Sequence, residues 1–302
     1  MKKNYLITSV QSCASPHSTL LEGFDFYAED NNSEIIVLPL IGQDAKQDFD
    51  RIHSVFKDYY DIEEGNRKLN NNIQIEQFNL RPQQIDPATG LSRFAQRETT
   101  LVFGSPKQRL KPIPHSNKKY PKFLVTTGAC TRPNYATGQD VSAERRRLGG
   151  IARRDHTYGG LIVEIENNEI FHMRHIRADQ RGSFVDLGVR YDGNYRSDSV
   201  LEALVLGDYH MDWTLPEVRK TTFDMIKKYK PKRLVLHDFF DGHSVSHWVD
   251  KRFIEYKIIQ QTNRDHHILE KELKDGYDEL CKLSELMEGE KIYFVGSNHH
   301  EF

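Results

Sequence analysis

The sequence predicts an α/β protein built in two parts. Three observations carry that class. Apolar, β-branched runs alternate with amphipathic helical stretches in β-α-β order; Gly, Pro, Asn and Asp close the runs; and three strand-like runs in the last third each end in a burst of Asp, His and Asn. A β-α-β crossover favours parallel pairing.

In the first part, 5–10 (YLITSV) reads as a buried strand. A helix over 18–30 follows, with Leu20, Leu21, Phe24 and Tyr27 at helical spacing, and then a strand over 34–40. A second amphipathic helix is expected over 45–60, and strands over 73–80, 99–105 and 122–128. The proline- and lysine-rich stretch 107–122 reads as a loop, and 130–159 is Gly- and Arg-rich without a clear period. The segment 160–176 reads as a hairpin about Asn167 and Asn168. Turn chemistry at 191–198 suggests a boundary, dividing the chain into 1–198 and 199–302.

The second part reads as a strand over 201–206 and a helix from Leu215 to Tyr229 with Pro216 in its first turn. A strand over 233–236, helices over about 246–261 and 265–288, and a strand over 291–295 follow. Leu269, Leu273, Tyr277, Leu280 and Leu283 form the stripe of the last helix.

Composition narrows the functional classes. At 302 residues, 37% hydrophobic and 28% charged, the chain can bury a sizeable core. Its net charge of −2 steers it toward neither DNA nor membrane, so any such preference must be a local patch. Three scattered cysteines argue against a disulfide framework and for a reducing cytoplasm. No apolar run approaches the roughly 18 residues of a membrane span. The N-terminal MKKNYLITSV reads as a strand and not as a signal peptide.

The chemistry is concentrated in GDYH (207–210), HDFFDGH (237–243) and GSNHHEF (296–302). Any one of them could be ordinary cap and turn residues. Three in succession, each directly after a strand, suit a divalent-metal site at the lip of an α/β sheet, where oxygen ligands mix with imidazole. Asp208 and His210 are one residue apart and, if extended, project the same way. Asp238 could bridge two cations, Asn298 offers a neutral carbonyl oxygen and His299 a proton. Asp241, a short turn beyond Asp238, is grouped with His299 in the catalytic apparatus, where it could orient a histidine. His243 and His247 share a helix face if that segment is helical, and His243 is a candidate phosphate contact. The Arg-rich segment 142–156 adds Arg146 and Arg153 as candidate phosphate contacts, beside its reading as a solvated face with ion pairs.

These three segments resemble the first three blocks of the calcineurin-like metallophosphoesterases: D-x-H, G-D-x-x-D and G-N-H-D/E. The resemblance covers about 200–302 and implies an αββα sandwich, of which this chain would hold the first half behind a sandwich-like N-terminal α/β domain. It implies two divalent ions (Mn, Mg, or Fe, Zn or Ni), with Asp208 and His210 on the first, Asp238 bridging, Asn298 on the second and His299 assisting the leaving group. The pattern departs at His237, where the family has glycine, at Gly242, where it often has Arg, and at Ser297, which separates Gly296 from Asn298. The family's last two blocks would lie downstream of Phe302, so the domain is expected to be truncated at its C-terminal end.

A long N-terminal extension before such a domain is similar to the early DNA-transfer nucleases of T5-like phages. That implies a metal-dependent DNase in the host cytoplasm, with DNA as substrate and a homo-oligomer or a second phage protein open as partner. The alternative is a non-catalytic DNA-binding or assembly protein with an incomplete site. The N-terminal part also resembles the opening of the carbon–nitrogen hydrolases, but Leu40 stands at the place of that family's Glu and Arg174 nearest its Lys. That chemistry would need a thiol, Cys13 or Cys130, beside a Glu and a Lys.

Overall fold

A computed structural model describes residues 3–40, 52–62, 65–78, 80–94, 99–114, 121–135, 138–242 and 269–296. The chain divides into two compact units, Met1–Asp198 and Ser199–Phe302. No described helix is long and apolar enough to cross a membrane.

The first unit is organised by β1 (Lys3–Gln11), α1 (Ser18–Asn31), β2 (Ser33–Leu40), α2 (Ser54–Tyr59) and β3 (Asp61–Ile62). Next come β4 (Arg67–Lys68), β5 (Ile73–Ile75), β6 (Thr100–Phe103), β7 (Leu110–Ile113), β8 (Lys122–Thr126) and α3 (Ala143–Arg154). The hairpin β9 (Gly159–Ile165) and β10 (Phe171–Arg177) follows, then β11 (Phe184–Asp186), β12 (Val189–Asp192) and β13 (Tyr195–Asp198). Two five-stranded sheets result, ordered β10-β9-β1-β2-β3 and β4-β5-β6-β8-β7, with β11-β12-β13 as a separate meander. β1, β2 and β3 pair in parallel, and β1 accepts β9 antiparallel on its other side.

Both faces of β1 are buried, which explains its unbroken apolar run. Tyr5 and Ile7 point, with Ile36 and Leu38, at Ile73, Ile75, Val102 and Val125 of the second sheet and close a core between the two sheets. Leu6 and Val10, one residue out of phase, meet Leu20, Leu21, Phe24 and Tyr27 of α1. Unit 1 is therefore a sheet-on-sheet sandwich with a helix on one outer face. The hairpin turn is held by Asn167, whose Oδ1 accepts from the backbone of Glu169 and Ile170, each at 2.8 Å.

Several expectations are corrected. Residues 107–122 are not all loop: β7 is an edge strand antiparallel to β8, and its Pro112 is tolerated because an edge strand needs no second ladder. The aperiodic stretch 130–159 contains α3, capped by Ser142, whose Oγ accepts from Arg145 N at 3.4 Å. The expected strand 73–80 ends at Ile75. Of the expected helix 45–60 the described part is Ser54–Tyr59. The turn-rich stretch 191–198 is part of a three-stranded meander, β11-β12-β13.

The second unit contains β14 (Leu204–Asp208), α4 (Pro216–Tyr229), β15 (Arg233–His237), α5 (Leu269–Leu286) and β16 (Lys291–Phe294). The strands form a parallel sheet in the order β14-β15-β16. α4 has its Pro at the first turn and ends at Lys230 in the left-handed conformation, φ 42°. Leu234 and Leu236 pack with Ile226 of α4 and Leu283 of α5. The opposite side chains Val205, Tyr293 and Val295 are exposed. The helix expected over 246–261 lies outside the described residues.

The stripe assigned to α5 is also corrected. Leu283 is buried and Leu280 partly so, but Leu269, Leu273 and Tyr277 are exposed, and Glu272, Gly276 and Glu279 are buried instead. The reason is polar pairing: Glu279 accepts a hydrogen bond from Tyr209 Oη at 2.7 Å and forms an ion pair with Arg219. A buried carboxylate with two donors outweighs apolar periodicity in setting which face turns inward.

Candidate metal centre

The site is built where β14 and β15 end. A register irregularity between Val205 and Asp208 sets Asp208, the last residue of β14, opposite His237, the last of β15. Past the strand ends the two segments stay paired. Tyr209 N donates to His237 O at 2.9 Å, His210 N to Asp238 O at 2.8 Å and Met211 N to Phe239 O at 3.1 Å. Tyr209 and Phe239 turn into the core and stack, ring centroids 5.6 Å apart at 17°. Burial raises the Tyr209 phenol above its ordinary range, in keeping with a hydroxyl that donates to Glu279.

With the aromatic residues anchored inward, Asp208, His210 and Asp238 converge. One ligand atom from each lies within 4.8 Å of the other two, Asp208 being exposed, His210 half-buried and Asp238 buried. The expectation that Asp208 and His210 project together because both are extended is corrected in its reason. His210 has φ 42° and Asp238 φ 43°, both in the left-handed region. That backbone turn, not strand alternation, brings His210 beside Asp208.

His210 is held from behind. Its Nδ1 lies 2.6 Å from Oδ1 of the buried Asp241, so Nδ1–H donates to the carboxylate and Nε2 keeps the lone pair that a cation needs. Two carboxylates and one pre-set imidazole suit a divalent ion, so the residues fit the group that the sequence implied. Asp241→Ala should weaken Mn2+ binding by about 10–100-fold in calorimetric titration, with Asp241→Asn between it and wild type because the amide oxygen still orients the ring.

His237 was read from sequence only as a departure from a pattern. Its Nδ1 lies 2.8 Å from Asp208 Oδ1 and 3.0 Å from Asp238 Oδ2. The signal that could have found it is its place beside Asp238 at a strand end. His243, Asn298 and His299 lie outside the described residues. Arg146 and Arg153 are on α3 of the first unit, both exposed, with the Arg146 guanidinium donating to Gln139 O and Val141 O at 3.2 Å.

The alternative thiol chemistry meets a buried Cys130. Its sulfur lies 3.5 Å from Ser9 O, and burial pushes the thiol up to about 12, the reverse of an activated nucleophile. Arg174, near the place of the hydrolase Lys, is committed to Asp186 and Glu164 at 2.5 and 2.9 Å.

No protein-family model matches the chain. Among solved structures it is similar to Vps29 of Chaetomium thermophilum, at 12% identity and a TM-score of 0.32, over 63% of this chain and 97% of Vps29. A likeness that weak says nothing about activity. Among curated proteins the chain is similar to Protein A1 of Escherichia phage T5, 26% identical over 269 residues, which is 81% of this chain and 46% of Protein A1. The chain thus spans about half the length of that relative, whose name states no activity.

Proposed function

We propose that the second unit belongs to a divalent-metal-dependent phosphodiesterase acting on DNA. The observation that carries this reading is the convergence of Asp208, His210 and Asp238 at two adjacent strand ends, with Asp241 fixing the imidazole. A cation pair (Mn, Mg, or Fe, Zn or Ni) would supply Lewis acidity toward a phosphoryl group and a hydroxide source near neutral pH. In this reading Asp208 and His210 would hold one cation, and the buried Asp238 would be shared by both. Asn298 serves the second cation, and His299 passes a proton to the departing oxygen. Arg146, Arg153 and His243 contact substrate phosphates. DNA as the substrate and the host cytoplasm as the place of action are carried over from the resemblance of the three sequence blocks and the long N-terminal extension.

The test is cleavage of supercoiled plasmid by the intact protein in Mn2+, Mg2+ or EDTA, run beside bis-p-nitrophenyl phosphate. Nicking or degradation in metal, and none in EDTA, is expected. Plasmid that is shifted on a gel but never cut with any cation overturns this reading in favour of a DNA-binding protein without catalysis.

A further inference from the structure

We infer that His237 is itself a ligand of this centre, making its donor set two imidazoles and two carboxylates. The inference rests on reading Asp208, His210 and Asp238 as a cation site, and it adds to that reading which cations the site prefers.

Geometry supports this assignment. His237 Nδ1 sits 2.8 Å from one ligand oxygen, Asp208 Oδ1, and 3.0 Å from another, Asp238 Oδ2. Two donors about 2.1 Å from one cation and at right angles to each other are about 3.0 Å apart. His237 Nδ1 therefore stands from both carboxylates at the edge length of a coordination polyhedron. Asp238 is the chain neighbour of His237, whereas Asp208 ends the adjacent strand, so a single nitrogen near both is set by the register that puts Asp208 opposite His237. Among the described residues these two contacts hold the ring, and its side chain is about two-fifths exposed, which leaves room for a small rotation.

Coordination uses the Nδ1 lone pair with the proton on Nε2, and it replaces a ring–carboxylate hydrogen bond with two metal–ligand bonds. Imidazole favours Zn2+, Fe2+, Ni2+ and their neighbours, whereas Mg2+ keeps to oxygen and water. A second imidazole thus turns the site away from Mg2+. A glycine at this position would leave the choice to the carboxylates.

The test is titration of the metal-free intact protein with Co2+, read by visible absorption and calorimetry, and with Mg2+, read by calorimetry. His237→Ala is expected to weaken Co2+ binding by about tenfold or more and to change the cobalt spectrum, with little effect on Mg2+. His237→Asn, which puts an oxygen near the Nδ1 position, should recover part of the Co2+ affinity and leave Mg2+ binding near wild type. Circular dichroism confirms that each variant is folded. A His237→Ala protein with the wild-type cobalt spectrum and affinity overturns the inference and leaves the centre standing. Tighter binding by His237→Ala also overturns it, showing the ring to be a competitor of the cation. A wild-type protein that binds neither ion overturns both the inference and the cation site.

Discussion

Asp238→Asn is expected to remove metal-dependent phosphodiester cleavage, by about 10³-fold or more, while leaving the fold intact. A loss of that size corresponds to about 4 kcal/mol of barrier. The side chain is buried, lies among Asp208, His210 and His237, and is the ligand proposed to be shared by two cations. Asparagine keeps its shape but removes the charge, and an amide offers one oxygen where the carboxylate offers two. Plasmid cleavage at saturating Mn2+ separates lost chemistry from weak binding. Undiminished cleavage would refute the shared-ligand role. Asp208 is exposed and at a strand edge, so Asp208→Asn should be milder.

Arg174→Met is expected to destabilise the first unit by about 3–5 kcal/mol, the cost of breaking a largely buried ion pair from one side. The guanidinium grips Asp186 with Nε at 2.5 Å and a terminal nitrogen at 2.7 Å, and reaches Glu164 at 2.9 Å. Tyr27 donates to the same Asp186 at 2.9 Å, and burial raises its phenol so that it stays a donor. Among the described residues, methionine would leave the buried Asp186 carboxylate with Tyr27 as its one neutral partner. Both tryptophans, Trp213 and Trp248, lie beyond residue 198, so tryptophan fluorescence follows the second unit alone. In urea, the circular-dichroism transition should move to lower concentration while the fluorescence transition stays near its wild-type midpoint. Unchanged stability by both probes would show that the network is dispensable.

What the sequence revealed depended on apolar pattern. β1, α1, β2, the β9–β10 hairpin and the β14-α4-β15 succession were legible either as unbroken apolar runs, as in β1 and β9, or as apolar residues at helical spacing, as in α1. α3 was not, because only Gly149 and Ala152 of its twelve residues are buried, and an arginine-rich helix lying on a surface has no stripe to read. Its one signal was the cap, Ser142 followed by Glu144 in the first turn. β7 was hidden by Pro112, which argues against strand unless the strand is known to lie at an edge. The face of α5 was misread because Glu279 is drawn inward by Tyr209 and Arg219, partners far away in sequence. At the site, the residue types at 208, 210, 238 and 241 were legible from their position after strands. That Asp241 orients a histidine was legible too, but that the histidine is His210 was not, and neither was the contact of His237 with Asp208 and Asp238. Both depend on register, which one strand's sequence cannot state.

The two left-handed residues at the lip of the sheet carry a consequence for protein engineering. Each holds a side chain on a backbone conformation that glycine adopts freely, at a cost of about 1–3 kcal/mol per residue. Glycine at 210 or 238 would ease the chain and delete a proposed ligand in the same stroke. A library screened for heat resistance alone should therefore drift toward glycine at these two positions, yielding hardier molecules that have lost half of the proposed grip on an ion.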